Sequence, residues 1–255
     1  MLITVLTMET FLEPVRAYSR HMGLTMSQWG FPLIWGNKYV GLCFLLIFIF
    51  AVAVLPENTN RDQYVIGRIG IENWLKGQFL WLITFAILYS FFLAIIQNIL
   101  LIGVLKPEKK WGKGWGTLVS TDVCSHFGIQ LNIPSVMLNN ESPGKALLWE
   151  IVILALLLIM IGSLIIWLNL HSRVLGILVP SALIFWSIAI SRFPDKMYCF
   201  SPVNWIQLNK HCQLMAADYP GKPYIVCMLI LLTVFFFMMA KLRIASIDLS
   251  KLDDR

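Results

Sequence analysis

Residues 146–191 read ALLWEIVILALLLIMIGSLIIWLNLHSRVLGILVPSALIFWSIAIS, and this stretch decides the fold. No ionisable side chain occurs between Glu150 and His171. A run of that length crosses the roughly 30 Å hydrocarbon core as a helix whose backbone hydrogen bonds are all internal. Only Ser172 and Arg173 separate it from a second apolar run, Val174–Ser191. A link that short forces the two into an antiparallel hairpin.

Working outward, Tyr39–Pro56, Phe79–Leu105 and Tyr224–Ile244 have the same character, the first being a little short. The fold class is therefore all-α and polytopic, with five clear spans. Met1–Pro14 is apolar but carries Glu9 and Glu13 and is too short for a comfortable crossing. It lacks a basic leader and a small-residue cleavage site, so it does not read as a signal peptide. An interfacial helix, half of a first span and a shallow re-entrant segment all fit it. No internal repeat occurs.

Composition agrees. Of 255 residues, 58% are hydrophobic and 13% charged, with a mean hydropathy of +0.74. Soluble domains carry about a quarter charged residues, and disordered chains are polar, so both classes are excluded. Five cysteines are too few for a disulfide scaffold. The net charge of +6 would suggest nucleic acid in a soluble chain. Beside apolar spans it suits anionic lipid headgroups instead, and nucleic acid is set aside as a partner.

Alternation of the spans puts Glu57–Gln78, the Ser172–Arg173 hairpin and the tail after Lys241 on one face. Residues 16–38 and the large connections Lys106–Lys145 and Arg192–Pro223 share the other. Basic residues number eight on the first face (Arg61, Arg68, Lys76, Arg173, Lys241, Arg243, Lys251, Arg255) and twelve on the second. Raw count favours a cytoplasmic second face, while the density of basic residues in the tail favours the first, so charge leaves the orientation open.

Intramembrane polar residues are costly and mark functional candidates. They are few. Glu150 reads as an interfacial carboxylate near a helix N-terminus, favoured there by the macrodipole. Gln97 and Asn98 read as interhelical hydrogen-bonding groups. His21, His126, His171 and His211 are scattered and lack ligand spacing, so no metal site is expected. No catalytic motif occurs, and Gly112–Gly116 is not a phosphate-binding loop. Trp111 and Trp115, beside a lysine-rich stretch, suit a headgroup interface. Cys124, Cys199 and Cys212 share one face. Three free thiols are the preferred reading; a disulfide from Cys124 to Cys199 or Cys212 is the alternative if that face is extracellular. Asp62–Gln78 is compatible with one amphipathic helix bearing Tyr64, Arg68, Trp74 and Lys76, suited to docking a soluble partner or to lying among headgroups.

The sequence resembles the permease subunits of bacterial type-2 ABC exporters of the Firmicute kind, whose ATPase is a separate chain. The resemblance rests on Ser27-Gln-Trp-Gly-Phe-Pro32, Tyr64-Val-Ile-Gly-Arg68-Ile-Gly70, Trp74-Leu-Lys-Gly77-Gln78, Trp111-Gly112, Gly116-Thr-Leu118, Ser201-Pro-Val-Asn-Trp205 and Pro220-Gly-Lys-Pro223-Tyr224. It implies one permease domain over residues 1–255, six helices, and a multi-pass chain in the bacterial cytoplasmic membrane with both termini inside. The first of the six helices would fall on residues 1–18. Residues 61–78 would be the cytoplasmic coupling region, with Arg61, Tyr64, Arg68, Gly70, Trp74, Lys76 and Gln78 meeting the ATPase. Residues 106–145 and 192–223 would be extracytoplasmic, and 245–255 a cytoplasmic tail. Partners would be a dimeric ABC ATPase, a second permease copy or similar subunit, and lipid. The chain itself would bind no cofactor and catalyse nothing, ATP and Mg belonging to the ATPase; the cargo would be an amphipathic peptide, lipid or drug. Two other readings stay open: a membrane enzyme acting on lipid through Glu150 or the histidines, and a non-transporting immunity or sensor subunit.

Overall fold

The computed structural model describes residues 1–35, 37–56, 60–120, 126–129, 138–139, 141–190, 193, 195–207 and 220–245. The described chain is all-α. Its helices are α1 (Leu2–Met22), α2 (Phe31–Ile34), α3 (Lys38–Val52), α4 (Asn60–Ile69), α5 (Ile71–Leu100), α6 (Gly112–Ser120), α7 (Pro143–Asn169), α8 (Arg173–Ile190) and α9 (Lys222–Ala245). Two 3₁₀ segments, Asp195–Phe200 and Pro202–Ile206, lie between α8 and α9. Helices α5, α7, α8 and α9 are long and apolar enough to cross a membrane. Helix α3 is apolar but has 15 residues, about 22 Å, so it falls short alone.

The hairpin read from residues 146–191 is the centre of the molecule. Helix α7 packs against α5, α8, α9 and α3, and its second half, Ile161–Ile166, is buried on all sides. A helix that is apolar all round is the one a bundle encloses. At Gly162 it meets α5 so closely that an added Cβ would overlap the Leu82 side chain. Outward-facing Leu88, Phe91, Ile95 and Ile99 on α5 and Leu231, Val234 and Met238 on α9 are exposed, as lipid-facing residues are.

Residues 2–22 form one continuous helix of about 31 Å through Pro14. Thr4, Met8, Leu12, Val15 and Ser19, spaced three or four apart, are its buried stripe, and it packs against α3 and α5. The apolar side of α1 is thus spent on the bundle rather than on headgroups. Glu9 faces out and pairs with Arg16 at 2.8 Å.

The amphipathic stretch Asp62–Gln78 is not a single helix. Gly70 adopts φ 83° and ψ 150°, a conformation open to glycine, and splits it into α4 and the first turns of α5. Trp74, expected to be exposed for docking, is 7% exposed and belongs to the core. Its position in α5 rather than α4 turns it inward, in line with Leu75, Phe79 and Leu82.

Candidate functional site

Two ends of the bundle carry the polar groups. At the first end lie α4, the α7–α8 turn and the end of α9. Lys241 Nζ approaches Glu72 Oε2 at 3.4 Å, joining α9 to the start of α5. Asn169 Nδ2 donates to the carbonyls of Ala53, at 2.8 Å, and Leu55, closing the chain leaving α3 onto the end of α7. Those carbonyls follow a helix C-terminus and have no helical partner, so the amide satisfies acceptors that burial would otherwise penalise.

On this end α4 stands apart. Its Ile66 is buried, while Tyr64 (76% exposed), Val65, Arg68 and Ile69 face outward. Lys76 is exposed beside Asn73 Oδ1 at 3.4 Å, and Gln78 is half-buried. Of the seven expected coupling residues, Tyr64 and Arg68 share an exposed helix face, Gly70 is the break, Trp74 is core, and Arg61 lies in α4. The apolar and cationic groups on so short a helix suit a protein groove and a headgroup layer alike.

The opposite end is a hydrogen-bonded cap. Met26 pairs with the backbone on either side of Leu105, its N–H donating to Val104 O at 2.9 Å and its carbonyl accepting from Lys106 N–H at 2.7 Å. Ser27 Oγ donates to Trp111 O at 2.6 Å, and Trp115 Nε1 donates to Ser27 O at 3.1 Å. Gln28 Nε2 and Trp29 Nε1 both donate to Glu108 O, at 3.1 and 2.6 Å, and Glu108 N–H returns a bond to Gln28 Oε1 at 3.0 Å. Trp111 Nε1 donates to Glu141 O at 2.9 Å, and Lys222 Nζ meets Glu141 Oε1 at 2.6 Å. Trp111 and Trp115 are therefore not headgroup residues. They are 6% and 0% exposed, because each indole N–H finds a carbonyl inside the cap.

Next to the cap lies Gln97. Gly30 leaves no room for a side chain: an added Cβ would overlap the Trp115 ring and stand 2.7 Å from Gln97 Nε2. Gln97 and Glu150 are both 0% exposed, and neither the two carboxyl oxygens nor either end of the carboxamide meets a hydrogen-bond partner among the described residues. Asn98 donates Nδ2 to Ala94 O at 3.2 Å, and its Oδ1 meets no such partner. Glu150 is thus enclosed by protein rather than exposed at a helix end. Helix α7 begins at Pro143, which puts Glu150 two turns, about 10 Å, inside it.

Among the described residues no histidine bonds Glu150. His171 is at the far end of α7, about 31 Å away along the axis, and His21 stacks edge-on against Phe127 at 5.5 Å. No group of three metal-ligating side chains occurs among the described residues. Cys199 is a free, half-buried thiol, as are Cys43 in α3 and the exposed Cys227 in α9 in being unpaired; Cys124 and Cys212 lie outside the described residues. No family model, no curated protein and no solved structure matches the chain, so its functional reading rests on these residues.

Proposed function

We propose that the chain is the membrane-spanning subunit of an ATP-driven exporter, a multi-pass protein of the bacterial cytoplasmic membrane whose ATPase is a separate subunit. The observation that supports this most directly is α4. It is a short amphipathic helix held beside the bundle and joined to a 30-residue membrane helix through one residue, Gly70.

The geometry suits transmission of force. Gly70 N–H donates to Ile66 O at 2.9 Å, and Trp74 N–H donates to Gly70 O at 3.1 Å, so helical bonding resumes on each side of the break. Displacement of α4 by a partner is passed to α5, and from α5 to α7 through the Gly162–Leu82 contact. In this reading ATP and Mg bind the partner ATPase, and closure of the ATPase dimer rocks two permease subunits between inward- and outward-facing states. The cargo is amphipathic, and the end carrying α4 faces the cytoplasm.

The reading expects a gene for an ABC ATPase beside this one, and the test is co-purification of that ATPase with the chain; absence of such a gene rejects the reading. Tyr64→Ala combined with Arg68→Glu is expected to lower the retained ATPase by at least about tenfold, as loss of two docking side chains does. Helices α5 to α9 are untouched by these changes, so the chain should still fold. Undiminished ATPase retention in the double variant rejects the assignment. Trp74→Ala is unsuited to this test, because it removes a core side chain rather than a docking one.

A further inference from the structure

We infer that the notch over Gly103, flanked by Arg20, is a binding site for the phosphate group of an anionic phospholipid whose acyl chain lies along α5. The inference goes beyond the exporter reading and does not rest on it.

Contacts between the end of α1 and the end of α5 build the site. Arg16 Nη1 donates to Leu100 O at 3.5 Å. One turn further along α1, Arg20 brings its Nη2 to 3.9 Å from the point where a Cβ on Gly103 would stand. Outside Gly103 and its two chain neighbours, no other atom of the described residues comes within 4 Å of that point. Gly103 is itself exposed, so the position is an open notch with a guanidinium at its side. The backbone pairing of Met26 with Val104 and Lys106 fixes the two chain segments to each other immediately beside it.

The charge here is free to meet a ligand. Arg16 is engaged by Glu9 at 2.8 Å. Arg20 and Lys106 are both exposed, and neither meets an acceptor among the described residues. Lys109, Lys110 and Lys113, exposed as well, follow along the chain. Against these cations stand the carboxylates of Glu13 and Glu108, so the excess at this rim is positive. A guanidinium presents a planar fork of N–H donors matched to phosphate oxygens, and an ammonium adds a point charge.

An apolar track leads up to the notch. Helix α5 and the turn after it expose Phe91, Ile95, Ile99 and Ile102, spaced three or four apart and therefore forming one strip. The strip ends one residue before Gly103. Eleven residues of helix rise about 16 Å, which is half of the ~30 Å hydrocarbon core and so the depth of one leaflet's acyl chains. Lys106 then stands where hydrocarbon gives way to headgroups. A soluble anion would use the cations and leave the strip idle, whereas a phospholipid uses both.

The experiment reconstitutes the full chain in dioleoylphosphatidylcholine vesicles doped with a phosphatidylglycerol carrying a diazirine in one acyl chain, or with the phosphatidylcholine of the same chains. After irradiation, adducts on the peptide spanning Ile95 to Lys106 are counted by tandem mass spectrometry. In the wild type, phosphatidylglycerol should label this stretch at least about fivefold more than phosphatidylcholine. Arg20→Gln combined with Lys106→Gln should bring the ratio close to parity. Gly103→Leu keeps every charge but fills the notch, and should lower the ratio too. The exposed face of α9 at Leu231, Val234 and Met238 is the control and should be labelled equally by both lipids. All three substituted positions are exposed, and if one variant fails to fold the other decides. Equal labelling of α5 by both lipids in the wild type, a ratio unchanged in either folded variant, or the same phosphatidylglycerol excess on α9 overturns the site.

Discussion

Trp115→Ala is expected to cost the fold about 3–5 kcal/mol, the range for deleting a fully buried large aromatic side chain. The indole is 0% exposed, overlies Gly30, and donates to Ser27 O at 3.1 Å. Deleting it opens a void between α6 and the Ser27–Gly30 segment and leaves a buried carbonyl without its donor. Trp115→Phe separates the two contributions. It keeps most of the ring but loses the N–H, and should cost less, about 1–3 kcal/mol for the unsatisfied carbonyl. Phe91→Ala, on an exposed face of α5, is the comparison and should cost far less than either. Thermal unfolding in one detergent, followed by loss of monodisperse protein, reads all three. If Trp115→Ala melts with the wild type, the cap is not a packed element.

The spans were legible because twenty apolar residues are a local signal that bilayer thickness turns into a helix. The α7–α8 hairpin is the clearest case, since two residues admit one arrangement. The boundaries were less legible. Helix α5 begins at Ile71, although Glu72, Asn73, Lys76 and Gln78 give its first turns a polar character that points to a surface element. A conformational break at Gly70, not the polar-to-apolar boundary, decides where the helix starts.

Tryptophan misled for a different reason. A Trp beside lysines fits headgroups and buried caps equally well, because its apolar body and single donor serve both. The choice depends on partners such as Ser27 and Glu141, which are 88 and 30 positions away from the tryptophans that bond them. Glu150 is similar: its depth follows from helix α7 starting at Pro143, and its burial from neighbours in other helices. Segments far apart in the chain nevertheless meet. Ser27 meets Trp111 and Trp115, and Trp205 packs edge-on against Tyr224 at 5.8 Å. Blocks far apart in the chain thus form one end of the bundle, while Tyr64, Arg68 and Gly70 lie at the other.

Gly176→Val should be the second severe substitution. A Cβ at position 176 would overlap the Asn169 carboxamide, which holds the carbonyls of Ala53 and Leu55. The glycine belongs to the first turn of α8, and the Leu170–Ser172 turn is too short for α8 to slide away, so the carboxamide must leave. Insertion into a packed site costs about 1–3 kcal/mol, and stranding buried carbonyls a further 1–3 kcal/mol or so. Asn169→Ala supplies the second contribution without the clash. It should therefore destabilise by less than Gly176→Val, and adding Gly176→Ala to Asn169→Ala should cost much less than Gly176→Ala alone, because the obstructing amide is gone. Additive losses in that double-mutant cycle would show that Gly176 and Asn169 do not share the contact, and would remove this tie between the ends of α3 and α7.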